Sequence, residues 1–559
     1  MSFIVHQILS KTLINFLKNN SKTTVIQIIT VVFFIGINSI IFSQNQTDSL
    51  LIDTSKNVIH ILGADAIVPM EGDINVAKIY GNARFMQDSV FMRCDIGYLD
   101  SKLQFLKAVG NVIINQGDSL FLYGDSLDYD GTTKIAIVRG NVRLVENELT
   151  LTAPSMKYDL NTNIAYYTNG GTVVSKKNSN TLTSKRGYYY SDFKTLSFKD
   201  SVKLTNPEYV MTSDTLDYNE TSEIAYFSGN TIIEGEGNLI FCKNGYYDTR
   251  NDISEFNQDA YLISDGHTIK GDKLYYDRNS GIGKAVGNIE LTDTVNKIIV
   301  TGDYGTRNEK SNVSFVTGNT LVNKWFEEGD TMFLTADTIR VVKNEETNKN
   351  NLYCFHTVKI YKNDLQGICD SMVYLQSDSM IQLFNNPYIW SENSQMNGDT
   401  IFIQLSNNKI KELNLRKNSF IIDAVTLIDT LLNDTLPTGY YNQIKGKNIK
   451  GIFSKDTLRK VRVNGNGQSI YFTGDEGKPS QGLNRIDCSD IEIRFDKSKI
   501  KEIAFLNQPD GTLFPIQDVS KSDEKLKGFN WKIDLRPASK ASLKPKLLNE
   551  EQITPNIKQ

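Results

Sequence analysis

The chain has 559 residues, enough for several ordinary domains or for one long array. With 40% hydrophobic residues, 26 tyrosines and 27 phenylalanines, it is too rich in core-forming side chains for a disordered polymer. A net charge of −4 lacks the basic excess of a nucleic-acid surface, so no nucleic-acid partner is expected.

Residues 1–43 read as an export signal. Lys11, Lys18 and Lys22 precede the uncharged run Thr23–Gln44, and the first acidic residue is Asp48. Positive flank, apolar stretch and a small residue near its end are the parts of a secretory signal peptide, with cleavage expected after Ser43. The apolar run is also long enough to stay as a membrane anchor, so a membrane tether is the alternative. No cysteine stands near its end, which argues against lipoprotein processing. Either way the rest of the chain is exported.

Residues 57–345 carry an internal repeat. Gly-Asn or a variant of it falls at Gly81-Asn82, Gly110-Asn111, Gly140-Asn141, Gly170-Gly171, Asp200-Ser201, Gly229-Asn230, Gln258-Asp259, Gly287-Asn288 and Gly318-Asn319, in steps of 29 to 31. A second column runs between these turns: Tyr98, Tyr129, Tyr158, Tyr189, Tyr218, Tyr247 and Tyr276. Two columns in phase at a fixed period signal stacked supersecondary units. Within a unit the pattern has period 2, as in a strand with one dry face. Val142 and Leu144 take the face opposite Asn141 and Arg143, and Leu149 and Leu151 alternate with Glu148, Thr150 and Thr152; Val112, Ile114, Leu120 and Leu122 are their equivalents one repeat earlier. Leu127 and Met156 each stand two residues before a column tyrosine. These ten residues are the expected lining of an apolar slot.

Only Pro154 and Pro207 fall between residues 75 and 345, which suits a backbone committed to ladders. The expected fold is all-β: an open, β-jellyroll-like solenoid of stacked repeats of about 30 residues, two sheets facing across a slot. A parallel β-helix with shorter coils is the competing geometry. Residues 346–515 read as a degenerate continuation of the array. Residues 516–559 are polar and lysine-rich, and read as a largely disordered tail. Within it Phe529–Pro537 is an amphipathic patch suited to docking a partner.

The units "YGNARF", "VGNVII", "GDSLDYD", "RGNVRL", "SDTLDYN", "SGNTII", "GDKLYYD" and "VGNIEL", after an export signal, resemble the OstA/LptA family of periplasmic lipopolysaccharide-transport proteins. The resemblance covers roughly residues 60–345 and fades through "CDSMVYL" and "GDTIFIQL". It implies a periplasmic protein, associated with the outer membrane of a Gram-negative bacterium, that shelters lipid acyl chains. It also implies lipopolysaccharide or a related lipid as cargo, and edge-strand pairing with other envelope lipid-transport proteins. The apolar segment Asn57–Val68 would supply one such edge. The chain departs from the family in its length and in lacking a recognisable outer-membrane barrel.

Chemistry-bearing motifs are scarce. His6, His60, His267 and His356 have no metal-ligand partner at suitable spacing, and there is no nucleophile elbow, zincin or P-loop motif. The cysteines Cys94, Cys242, Cys354, Cys369 and Cys488 form no C-x-x-C pair, and read as buried thiols, although Cys354 and Cys369 are candidates to pair. Asp125, Asp214 and Asp272 recur once per unit and read as turn-capping residues. No catalytic residue, metal or cofactor is therefore expected. Two other functions compete with lipid transport: an exported structural or adhesion solenoid, and a polysaccharide-active β-helix.

Overall fold

The computed structural model describes residues 58–543, apart from short segments at 118–119, 147, 176–178, 265–266, 295–296, 327–328, 348, 407–408, 430–433, 455–456, 475–479 and 497–498. The export signal and residues 544–559 lie outside the described residues. The described part is almost entirely strand, and its only helical pieces are turns of 3-10 helix such as Ser191–Phe193. The chain divides into two compact units that part between Gln258 and Asp259.

Each repeat is a hairpin of two long strands that bend in the middle. Strand Phe105–Gln116 pairs antiparallel with Leu120–Asp130, and the register breaks between Val109 and Val112. Gly110 (φ 79°) and Asn111 (φ 45°) fill the break. On one side Phe105–Val109 pairs with Ser126–Asp130; on the other Val112–Gln116 pairs with Leu120–Gly124. Such a bulge bends its strand, so each half-ladder joins a different layer. The Gly-Asn pairs expected as turns are thus corners inside strands. The hairpin turns lie at the strand ends, as at Asp130, whose carboxylate accepts the N–H groups of Thr132 and Thr133 at 2.8 and 3.1 Å.

The recurrent aspartates pin these corners. Asp125 Oδ2 accepts Asn141 Nδ2 at 2.8 Å, and Asp95 and Asp303 hold Asn111 and Asn319 at the same distance. Asp272 holds Asn288 at 3.0 Å, while Asp214 accepts the backbone N–H of Asn230 at 3.0 Å. Where the corner is Asp200-Ser201 the polarity inverts, and Arg186 pairs with Asp200. Paired left-handed residues also occur at His356-Thr357, Asn385-Asn386, Lys417-Asn418, Gly465-Asn466 and Asn507-Gln508, so the corner extends well past residue 345.

In the unit that ends at Gln258, inward side chains form register rows across the stack. One row runs Leu99, Leu106, Tyr129, Ala136, Tyr158, Ala165, Tyr189, Leu196, Tyr218, Ala225, Tyr247. Alanines between tyrosines let the rings fill the interior without collision. Tyr98 is a correction to the tyrosine column: Leu99 holds the inward place, and Tyr98 faces outward with Lys78 near its ring. The fourth corner is broken, so Ile164–Tyr167 and Gly171–Ser175 are separate strands.

In the second unit two ladders continue as short strands and end in the long strands Lys409–Asp429, Asp434–Ser454, Thr457–Thr473 and Gly482–Asp496. Lys499–Leu506 and Asp510–Pro515 both pair with Gly482–Asp496. Residues 516–543 are not a free tail. They run back over one layer as a strap, following the register row Arg485, Ile470, Gln443, Ile422, Gln395, Trp390, Gln366, Tyr361, Phe333. Gln443 donates to Glu524 O at 2.7 Å and accepts from Leu526 N at 2.8 Å. Gln395 donates to Asn530 O at 2.8 Å and accepts from Lys532 N at 2.7 Å. Arg536 Nε donates to Gln366 Oε1 at 2.7 Å, and Lys540 Nζ lies 5.0 Å from the Phe333 ring centre. Leu526 joins a small core with Phe420, Ile422, Ile470, Phe472 and Leu483. Counting from the corner Lys417-Asn418, Ser419 and Ile421 take the inward places of Val112 and Ile114, so Phe420 and Ile422 face outward and the strap covers the layer from outside. Polar composition misled here because buried glutamines supply the partners for the strap's backbone. Phe529 and Trp531 dock on Tyr441 of the chain itself.

Candidate functional site

The ten expected slot residues separate into two groups. Val112, Ile114, Leu120, Leu122, Leu127, Val142, Leu144, Leu151 and Met156 are at most 3% exposed. All nine are core residues, and Leu120 also borders a recess beside Gln116 and Glu146. Leu149 is half-buried and faces a cavity.

That cavity, about 350 Å³, lies between the layers. Val173, Leu182 and Leu204 line it from one layer, and Leu196, Phe198 and Leu216 from the other, with Tyr218 and Tyr247 beside them. Its volume sits at the lower end of small-molecule sites, on the order of 300–1,000 Å³. Its polar rim includes Glu146, Glu148 and Glu220. Glu146 is 3% exposed and accepts hydrogen bonds from Tyr189 Oη and Lys194 Nζ. Burial, then the neighbouring Glu146 charge, raises the pKa of Glu220, against the pull of Lys194.

The cavity adjoins the last of three cross-layer hydrogen bonds of one kind, each given by a tyrosine hydroxyl. Tyr129 Oη donates to Gln87 Oε1 at 2.5 Å, and Gln87 Nε2 donates to Gly131 O at 2.8 Å. Tyr158 donates to Gln116 Oε1 in the same way, and Gln116 Nε2 donates to Asn163 Oδ1 at 2.8 Å. Tyr189 to Glu146 is the third such rung. Gln87, Gln116, Glu146 and Ser175 occupy one register row, alternating with Val90, Leu120 and Leu149. Ser175 is too short to continue the pattern, and it lines the cavity together with Tyr218. Sequence reading missed the rungs, although Gln87, Gln116 and Glu146 each end a strand and recur at the repeat period. A larger recess of about 480 Å³ lies beside Gln116 and Glu146, but Asn115, Asn163, Asp192 and Lys194 give it a polar wall unsuited to an acyl chain.

The other candidate groups do not join the cavity lining. His267 Nδ1 lies 3.7 Å from Asp293 Oδ1 in a buried pair, and His356 Nδ1 lies 3.3 Å from Asp370 Oδ1 at the surface. Cys354 and Cys369 are buried free thiols; burial pushes the Cys369 thiol up to about 12. Among the described residues no three His, Cys, Asp or Glu side chains are grouped to hold a metal ion.

Fold and cavity define a β-jellyroll-like protein with an apolar space between its layers. Residues 56–214 and 210–272 match the family model of the OstA-like proteins, and residues 299–409 match that of the LptA/(LptD N-terminal domain) LPS transport proteins. Over these stretches the chain is similar to OstA/LptA-like proteins, and the second of the two models is that of LPS transport proteins. Among solved structures it is similar to LptH of Pseudomonas aeruginosa, the LptA-homologous periplasmic component of a lipopolysaccharide transport device. That match has 14% identity, covers 21% of this chain and 96% of that one, and has a TM-score of 0.20. No curated protein matches the chain.

Proposed function

We propose that this is an exported, non-enzymatic protein that shelters the acyl chains of lipopolysaccharide or a related lipid between the inner and outer membranes, contributing to outer-membrane assembly. The apolar cavity between the layers, within the OstA-like segment, carries the reading. Each methylene moved from water into such a space gains about 0.8 kcal/mol, enough for several to hold a chain without any catalytic group. The end strands fit a relay. His60–Gly63 and Ala66–Met70 both pair with Asp73–Gln87, and Ile67 and Val68 are exposed on the second of them. Edges of this kind recruit strands from partners, here other envelope lipid-transport proteins.

The test is mass spectrometry of lipid that co-purifies with the protein from envelopes, together with photocrosslinking from Leu182 and Leu216. Crosslinks to an acylated saccharide lipid are expected. Protein free of lipid, with no crosslink at either position, would return the molecule to a structural or adhesion solenoid. The filled interior around Ile114, Leu122 and Leu144 favours that second reading over its own span.

A further inference from the structure

We infer that one position per repeat, at the rim of the layer that holds Gln116, sets where the slot is shut and where it admits a chain: Gln87, Gln116 and Glu146 bolt it, and Ser175 leaves it open. The inference rests on the lipid reading for the nature of the occupant, but its geometric content stands alone.

Three observations carry it. First, the four residues are equivalent by register, not by composition. The row Gln87, Val90, Gln116, Leu120, Glu146, Leu149, Ser175 is continuous through six strand pairings. Second, the facing row is equally regular, with Tyr129, Tyr158, Tyr189 and Tyr218 in matching places. Tyr129 to Gln87 and Tyr158 to Gln116 each span 42 residues, and Tyr189 to Glu146 spans 43. Tyr218 and Ser175 are likewise 43 apart. The fourth rung has its tyrosine, but its partner is shortened from Gln or Glu to Ser. Third, the space changes at that point. Ile114, Leu122 and Leu144, beside the rungs, are 0% exposed, whereas beside Ser175 the half-buried Leu149 lines the cavity with Val173 and Leu182, which are 5% and 6% exposed.

The physical cause is reach. A glutamine or glutamate side chain spans the gap to the opposite layer and gives the buried tyrosine hydroxyl an acceptor, which holds the layers together. A serine cannot span it, so the layers enclose free volume. The third rung differs from the first two because Glu146 also receives Lys194, so the cavity ends on a charged bolt rather than an amide. The chain-length limit of the bound lipid is therefore a property of the Glu146 and Ser175 positions.

Two reciprocal substitutions test this in the full-length protein, with a fluorescent long-chain fatty acid as probe and saturated fatty acids of graded length as competitors. Ser175→Gln fills the cavity and extends toward Tyr218; affinity is expected to fall about tenfold or more while the thermal melt is retained. Glu146→Ser removes the terminal bolt; the best competitor is expected to become longer. A second readout does not depend on lipid. A cysteine introduced by Leu182→Cys is expected to react with a small thiol reagent above the level of the native thiols, and to be protected when Ser175→Gln is added. If Ser175→Gln leaves both probe binding and Cys labelling at 182 unchanged, or Glu146→Ser leaves the length preference unchanged, the inference is overturned. If the unsubstituted protein binds no fatty acid, the lipid reading fails, and the labelling pair still decides whether Ser175 opens the slot.

Discussion

At Gly140 the backbone φ is +75°, and a Cβ there would lie 2.4 Å from Asp125 Oδ2. An alanine would meet both a disfavoured left-handed conformation and the carboxylate that pins Asn141. Gly140→Ala is expected to cost about 1–3 kcal/mol of stability, read as a lower urea midpoint. Asp125→Ala removes the pin and the carboxylate part of the obstacle, leaving only the Cβ at 2.9 Å, so the double variant is expected to be less destabilised than the two single effects added. Glu220 gives a pH prediction. Its raised pKa means that the folded state holds the proton more tightly than the unfolded chain. Its contribution is fully present below the ordinary glutamate range and is lost as pH rises through the folded pKa. Glu220→Gln is therefore expected to raise the melting temperature near neutral pH and to flatten its decline between mildly acidic and neutral pH. An unchanged slope would show that Glu220 is not the group responsible.

Among the elements, the strap is the one whose removal has the clearest consequence. It spans eight strand spacings, about 38 Å at roughly 4.8 Å each, on 18 residues from Asp523 to Lys540. Leu526 is 2% exposed in the small core it shares with Phe420 and Phe472. Leu526→Ala is expected to cost about 2–5 kcal/mol. All three tryptophans, Trp325, Trp390 and Trp531, lie in the unit that begins at Asp259, so a fluorescence-detected urea melt reports on it. Removing residues 520–559 would uncover Trp390, Ile422 and Ile470 together with the amides of Gln395 and Gln443. A soluble, monomeric truncation with an unshifted tryptophan melt would mean the strap is not structural.

For the molecule as a whole, the prediction concerns its ends. The first strands present Leu62, Ile67, Val68 and Met70 to solvent, and the last present Ile500, Leu506 and Leu513. Photocrosslinkers at positions 62, 67 and 68 in intact cells are expected to capture another envelope lipid-transport protein. Capture of copies of the same chain alone would turn the assembly toward a self-associating solenoid.

Much of this protein was determined by its sequence, because repetition and alternation are local properties. The period of 29 to 31 residues marked every corner to Gly318, and the apolar alternation identified the inward residues, since a strand's side chains have only two directions. The recurrence of Asp was legible in the same way, but its role was not: expected to cap turns, Asp125 and Asp272 instead hold the corner asparagine of the next strand. Three features were decided only by the tertiary structure. The Gly-Asn pairs bend strands rather than end them, because the choice between a turn and a bulge depends on what the next strand pairs with. The strap binds because Gln366, Gln395 and Gln443, more than 80 residues from their partners, are buried facing its polar groups. The open slot reduces to Ser175 standing where Gln87, Gln116 and Glu146 stand in earlier repeats, a change of reach that no periodicity records. Composition treats these residues alike as polar; only the distance across the layers separates a bolt from an opening.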